Sequence, residues 1–231
     1  MARTFDKIGI IGAMSVEVDG LKKLMENVST ETVSGVKFYS GVISGKNVVV
    51  AECGVGKVFA AICAEAMIIK FGVDALINTG VAGNVSDLKI KDIVIAKKVV
   101  QYDMDSSALG DPVGMISGIN KIYFEADETL ITAAKKTAAA LGYEAVYGVV
   151  ATGDKFVADK DLKNYLNSSF GASCAEMEGG SIGHVAYVNN VPFAVIRAIS
   201  DEDGAAMDFN KFCNVAAERS VNLIAGMLKN L

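Results

Sequence analysis

Seven short apolar, β-rich runs recur in this chain, several of them apolar at nearly every position, with stretches of helical spacing between most of them, and few folds accept that arrangement. The runs are KIGIIGA (7–13), KFYSGVI (37–43), NVVVAEC (47–53), DALINTG (74–80), DIVIAKKVV (92–100), EAVYGVVAT (144–152) and PFAVIRAIS (192–200). A strand with one wet face alternates polar and apolar residues, so near-continuous runs suit strands covered on both faces. Helical patterns occupy 16–25, 57–70, 127–141, 159–167, 179–188 and 209–228. The alternation predicts a three-layer αβα sandwich around a central sheet. Gly45 and Lys46, between two runs, read as a hairpin turn, so the sheet is expected to be mixed. No linker, repeat or low-complexity segment interrupts 1–231, which reads as a single domain. Residues 101–123, with Gly110, Pro112, Gly114 and Gly118, form the longest irregular stretch and suit a lid or an interface loop.

Composition removes several classes of function. Hydrophobic residues make up 52% of the 231 and the net charge is −5, which disfavours disorder and a nucleic-acid backbone as partner. No run is long enough and free enough of charge to span a membrane, and MARTFDKIGIIGAM lacks the pattern of a signal peptide. The four cysteines (Cys53, Cys63, Cys174, Cys213) form no C-x-x-C pair, and His184 is the one histidine. A zinc site is poorly supplied by that set, and no metal is expected. Buried, reduced thiols suit the cytoplasm. His184 lies in SIGHVAYV, which reads as a buried helix face, so acid–base work falls to carboxylates.

Ligands of open α/β sheets gather at strand carboxyl ends, and four such places are unusual here. IIGAMSVEV puts Glu17 in the first turn of a helix, where an acid complements the dipole whether or not it has chemistry to do. NTGVAGNV (78–85) carries Gly80 and Gly83, which read as a strand-to-helix turn where backbone can approach a ligand. It has neither dinucleotide-fingerprint nor P-loop spacing, and nor does GVGKV (54–58). CAEMEGGSIGHV places Glu176 and Glu178 two apart, hence on one side of an extended backbone, where burial is costly without partners. VIRAISDEDG ends a strand in Ser200-Asp201 and buries Arg197, which then needs a carboxylate such as Glu176.

Taken in order, KIGIIGAMSVEV, CGVGKV, NTGVAG, TGDKFV, AEMEG, RAISD and FNKF resemble the 5′-methylthioadenosine/S-adenosylhomocysteine nucleosidases of the purine nucleoside phosphorylase/hydrolase superfamily, over nearly the whole chain. The resemblance implies a catalytic domain of that fold, with no cofactor, working as a cytoplasmic homodimer. It implies Glu17 as the base that activates water and Asp201 as the acid at purine N7. It implies Glu178 as the acceptor of the ribose hydroxyls, with Met177 beside the sugar and Phe156 stacked on adenine. The Val157 backbone would meet the adenine edge, Gly83 would approach through its backbone, and Phe209 would line the 5′-alkylthio pocket. Met14, Val55, Val81, Arg197 and Ser200 complete the implied substrate contacts, and Ser106, Leu109 and Pro112 would complete the neighbour's pocket.

Breaking an N-glycosidic bond leaves an oxocarbenium-like ribosyl cation and a purine anion. An acid on the purine and a base on the opposite face match the two-carboxylate logic of inverting glycosidases. Asp201 must then hold a proton when it acts, and partial burial is expected to raise its pKa. This chain departs from the pattern at Val81, where many relatives have serine, at Ser106 and Leu109, and in the short span from Asp201 to Phe209. Substrate breadth depends on those positions. Phosphorolysis needs cations, and GAMSVEV supplies none. A futalosine-type or 5′-deoxyadenosine nucleosidase would use the same residues. A binding module would not need all three acids, and a dehydrogenase would need the missing fingerprint.

Overall fold

The computed structural model describes residues 3–201 and 206–231. The Glu202–Gly204 end of the VIRAISDEDG segment, and with it the short span after Asp201, falls mostly outside the described residues. The elements are β1 (Lys7–Gly12), α1 (Ser15–Leu24), β2 (Glu26–Val33), β3 (Val36–Ile43), β4 (Lys46–Glu52), α2 (Lys57–Ile69), β5 (Ala75–Asn84), β6 (Ile93–Gln101), β7 (Tyr123–Glu125), α3 (Glu128–Ala140), β8 (Ala145–Thr152), α4 (Lys160–Phe170), β9 (Ala172–Glu176), α5 (Gly179–Val188), β10 (Phe193–Asp201) and α6 (Ala206–Leu228).

One mixed sheet runs β10-β6-β8-β9-β5-β1-β4-β3-β2, with β7 added to β6. β1 lies parallel to β4 and β5, while β3 is antiparallel to β2 and β4. β10 pairs with β5 as well as β6, so β10, β6, β8, β9 and β5 close on themselves. α1, α3 and α6 pack together on one side and α2 on α5 on the other, which gives the three layers expected. Every residue of β10 is buried, as are all of β1 after Lys7. Burying one Ile or Val is worth about 1.5–3 kcal/mol. The continuous runs are therefore what drives these strands to the centre.

The differences from expectation follow from local chemistry. β2 (ENVSTETV) has no apolar rhythm because it is the sheet's exposed edge, and only its hairpin partner holds it. The β3–β4 turn falls on Ser44-Gly45, with φ of 52° and 79°, one residue earlier than Gly45-Lys46. Ser34-Gly35 repeats that turn between β2 and β3, with φ of 51° and 79°. Paired positive φ matches the twist of a two-residue hairpin. β5 does not end at Gly80 but continues to Asn84, so NTGVAG is strand rather than turn. His184 is partly rather than fully buried: its ring stacks on Phe124 at 5.1 Å, and its Nδ1 lies 3.3 Å from Gln101 Nε2. The 101–123 stretch is irregular as expected, apart from one helical turn at Ser107–Leu109, a bridge between Ile116 and Lys121, and the start of β7.

Candidate active site

Glu17 occupies the third position of α1, one turn after β1. Its Oε2 accepts from the Ala13 and Met14 N–H groups (2.7 and 3.0 Å), and its Oε1 accepts from the Val81 N–H on β5 (2.9 Å). The structural reading of an acid at a helix start is thus met in part. Yet a mere dipole complement sits in water, and Glu17 is 1% exposed. Burial raises its pKa, against the Arg197 charge and the three backbone N–H groups, which pull it down.

Arg197, fully buried on β10, gathers the other acids. Its Nη2 donates to Asn78 Oδ1, to Glu176 Oε2 and to Glu178 Oε2 (3.3 Å). Its Nη1 donates to the Val81 carbonyl (3.3 Å) and lies 3.9 Å from Glu17 Oε1. Three carboxylates share one guanidinium, and burial penalises each charge. Glu178 is pushed up to about 7, chiefly by burial, with Glu176 and Glu17 adding to the rise. A Cβ on Gly80 would collide with Arg197 Nη1 and Glu17 Oε1, so the strand needs a glycine where two charged groups cross it.

Glu176 ends β9 and anchors the start of α5. Its Oε2 accepts from the Glu178 and Gly179 N–H groups (3.0 and 2.7 Å), and the Thr152 hydroxyl donates to its Oε1. The chain turns at Glu178 (φ −133°, ψ −45°), and both side chains converge on Arg197. Asp201 closes β10 at 1% exposure. The Ser200 hydroxyl donates to its Oδ1 (3.2 Å), and the Lys163 ammonium lies 3.9 Å from its Oδ2. A Cβ on Gly83 would stand 3.2 Å from Asp201 Oδ2, so the bare backbone of β5 makes room for this acid.

These groups meet in one cavity of about 300 Å³. Glu17 with Ala13 and Met14 forms one wall, and Val81, Ala82 and Gly83 of β5 form another. Ala175, Glu176, Met177 and Glu178 come from the end of β9, and Ser200 and Asp201 from the end of β10. Val55, Phe156 and Phe209 border the mouth, and the Phe156 and Phe209 rings meet edge to face at 5.8 Å. The cavity is of ligand size, largely apolar with a few convergent polar groups.

Of the residues singled out from sequence, the structure brings Glu17, Glu178, Asp201, Met14, Met177, Phe156, Gly83, Val55, Val81, Ser200 and Phe209 to this cavity. Arg197 is not on its surface; it lies beneath, spent on carboxylates. The Val157 side chain packs away from it into a smaller cluster with Tyr102 and Leu166. Ser106, Leu109 and Pro112 lie outside it in this chain. Asn78, Gly56, Thr152 and Lys163 escaped the sequence reading. Lys163 alone carried a signal, a cation on the apolar face of α4. The others are short polar or glycine residues whose importance depends on which strands are neighbours.

Buried acids around a concave pocket at strand carboxyl ends define a class of α/β enzyme, and the chain's relatives say which. Residues 7–229 match the family model described as "Phosphorylase superfamily", and the chain belongs to that superfamily. Within it, it stands among the 5′-methylthioadenosine/S-adenosylhomocysteine nucleosidases. It is 40% identical over 230 residues to the nucleosidase of that name from Shewanella sediminis, covering 97% of this chain and 100% of that one. It superposes with TM-score 0.94 on the Neisseria meningitidis nucleosidase solved with methylthio-immucillin-A, at 33% identity over 98% of this chain and 100% of that one. A futalosine hydrolase from Helicobacter pylori is similar too, with TM-score 0.93 at 37% identity over 98% of both chains.

Proposed function

We propose that this protein is an N-ribosyl hydrolase that cleaves 5′-methylthioadenosine and S-adenosylhomocysteine to adenine and the 5-thio-ribose product. One observation carries the reading: one ligand-sized cavity presents four buried acids, Glu17, Glu176, Glu178 and Asp201, of which Glu176 is tied to Arg197 and to the start of α5, and among the described residues no Lys or Arg lines it. Arg197, beneath it, is already shared among carboxylates. A phosphate nucleophile would meet acids and no free cation, whereas water needs only a base.

In this reading Glu17, whose pKa is raised by burial, takes the proton of the attacking water. Asp201 donates to purine N7 and neutralises the leaving group. Glu178 accepts from the ribose hydroxyls, with Met177 against the sugar. Phe156 stacks on the adenine, the Val157 backbone meets its edge, and Gly83 lets the ligand lie against β5. Phe209 borders the 5′ group, Met14, Val55 and Val81 complete the substrate contacts, and Ser200 holds Asp201. The residues from 1 to 231 act as one catalytic domain without a cofactor.

The protein acts as a cytoplasmic homodimer serving methionine salvage and methyl-cycle recycling. Its four free, buried cysteines suit a reducing compartment. Leu109 is 88% exposed, and Val58, Phe59, Ile62 and Ile69 on α2 are exposed as well, which suits a second copy whose Ser106, Leu109 and Pro112 finish the pocket.

The similarity to a futalosine hydrolase favours futalosine as a second substrate. The purified protein incubated with methylthioadenosine, adenosylhomocysteine or futalosine, with and without phosphate, tests both readings. Base release independent of phosphate is expected, and release that requires phosphate would overturn hydrolysis.

A further inference from the structure

The turns that carry Val55 and Phe156 to the cavity are tied to each other and to the loop after β6 by a ring of hydrogen bonds that none of the roles above uses. The Lys57 N–H donates to Asp154 Oδ1 (2.8 Å), the Asp154 N–H donates to Asp103 Oδ2 (3.0 Å), and the Lys57 ammonium donates to Asp103 Oδ1 (2.6 Å). The three residues come from the start of α2 and from the loops that follow β8 and β6.

The ring matters because of what lies at its inner edge. Gly56 precedes α2 with φ 103° and ψ 162°, a conformation open to glycine and strained for other residues. Its N–H donates to Glu178 Oε1 at 3.0 Å. Two successive amides therefore face two carboxylates: Gly56 turns inward to Glu178 and Lys57 outward to Asp154. α2 has no acid in its first turn, and Gly56 has no side chain to cap it. Asp154 supplies from another loop the anion that a helix start favours. A Cβ on Gly56 would stand 3.1 Å from Asp154 Oδ1, so this carboxylate packs directly on the turn. Apart from the Gly56 N–H, the Glu178 carboxylate is met among the described residues by Arg197.

We propose that Asp154 is a positioning residue for Glu178: it fixes the 54–57 turn so that the Gly56 N–H holds that carboxylate in line with the ribose hydroxyls. Asp103 and Lys57 brace it from behind. The same ring sets the path into Phe156, two residues beyond Asp154. The inference rests on Glu178 being the acceptor of the ribose hydroxyls.

The test compares methylthioadenosine with its 2′-deoxy analogue, which lacks one hydroxyl that Glu178 would hold. Asp154→Ala should lower kcat/KM for the ribonucleoside roughly 10–100-fold, the scale of one hydrogen bond to a charged group. The deoxy analogue should lose much less. Equal losses on both substrates, or no loss on either, would overturn the role. If Asp154→Ala does not fold, Asp154→Asn and Asp103→Asn, read by the same ratio, decide it. Glu178→Gln serves as the reference: if it leaves the preference between the two substrates unchanged, the ribose reading of Glu178 fails, and with it the premise rather than the ring.

Discussion

Arg197 Nη2 stands 3.3 Å from Glu178 Oε2 while Nη1 of the same guanidinium lies 3.9 Å from Glu17 Oε1, so these two acids share one cation. Their protonation is therefore linked. One positive charge cannot compensate both of these and Glu176 when all are buried, and a proton on one carboxylate is the cheaper solution.

Glu178 shows this most directly, because its pKa is pushed up to about 7. A carboxyl group raised on folding holds its proton in the native state after the unfolded chain has lost it. Its contribution to stability is full below the ordinary carboxylate range and is lost as pH rises through about 7. The melting temperature should fall across that interval, and Glu178→Gln should flatten the fall. Identical slopes for the two proteins would move the proton elsewhere.

Asp201→Asn keeps the shape and the Ser200 contact but cannot donate an acid proton to the purine. Turnover should drop roughly 10²–10⁴-fold with little change in melting temperature. Steady-state adenine release and a thermal melt check both halves, and near-normal turnover would remove Asp201 from the acid role.

Gly80→Ala puts a methyl group between Arg197 Nη1 and Glu17 Oε1. The loss of stability should be about 1–3 kcal/mol, as for overpacking elsewhere in a core. Turnover should fall as well, because Glu17 is pushed off the Val81 N–H. Denaturant midpoints of the two proteins give the first number. A variant as stable and as active as the parent would mean that the crossing is looser than described.

Most of this architecture could be read from the chain because burial on two faces leaves a near-continuous apolar run, as in β1 and, apart from Arg197, in β10 up to Ile199. β2 could not, since an exposed edge strand is polar throughout and is held only by a hairpin whose turn chemistry, Ser34-Gly35, is short and plain. The continuation of β5 through Gly80 and Gly83 was hidden for a related reason. Glycine marks turns in most sequences, and here it marks where acids from other elements press against a strand. The order of motifs named Glu17, Glu178 and Asp201. Arg197 was expected to need one acid, and what its neighbours would be depended on β5 and β10 lying side by side.

The closure of five strands through the β5–β10 pair also has a temporal side. Residues 75–84 must wait for residues 193–201, more than a hundred positions later, before the ring is complete. A nascent chain that has emerged only as far as Glu178 already carries Glu17 and Glu176 but not the guanidinium they share. Such an intermediate has every reason to stay open and hydrated at this spot, and it has no competence to bind a nucleoside. Docking of the last strand brings Arg197 and Asp201 to the waiting acids in one event, so activity should return in refolding together with the final cooperative step and not before it.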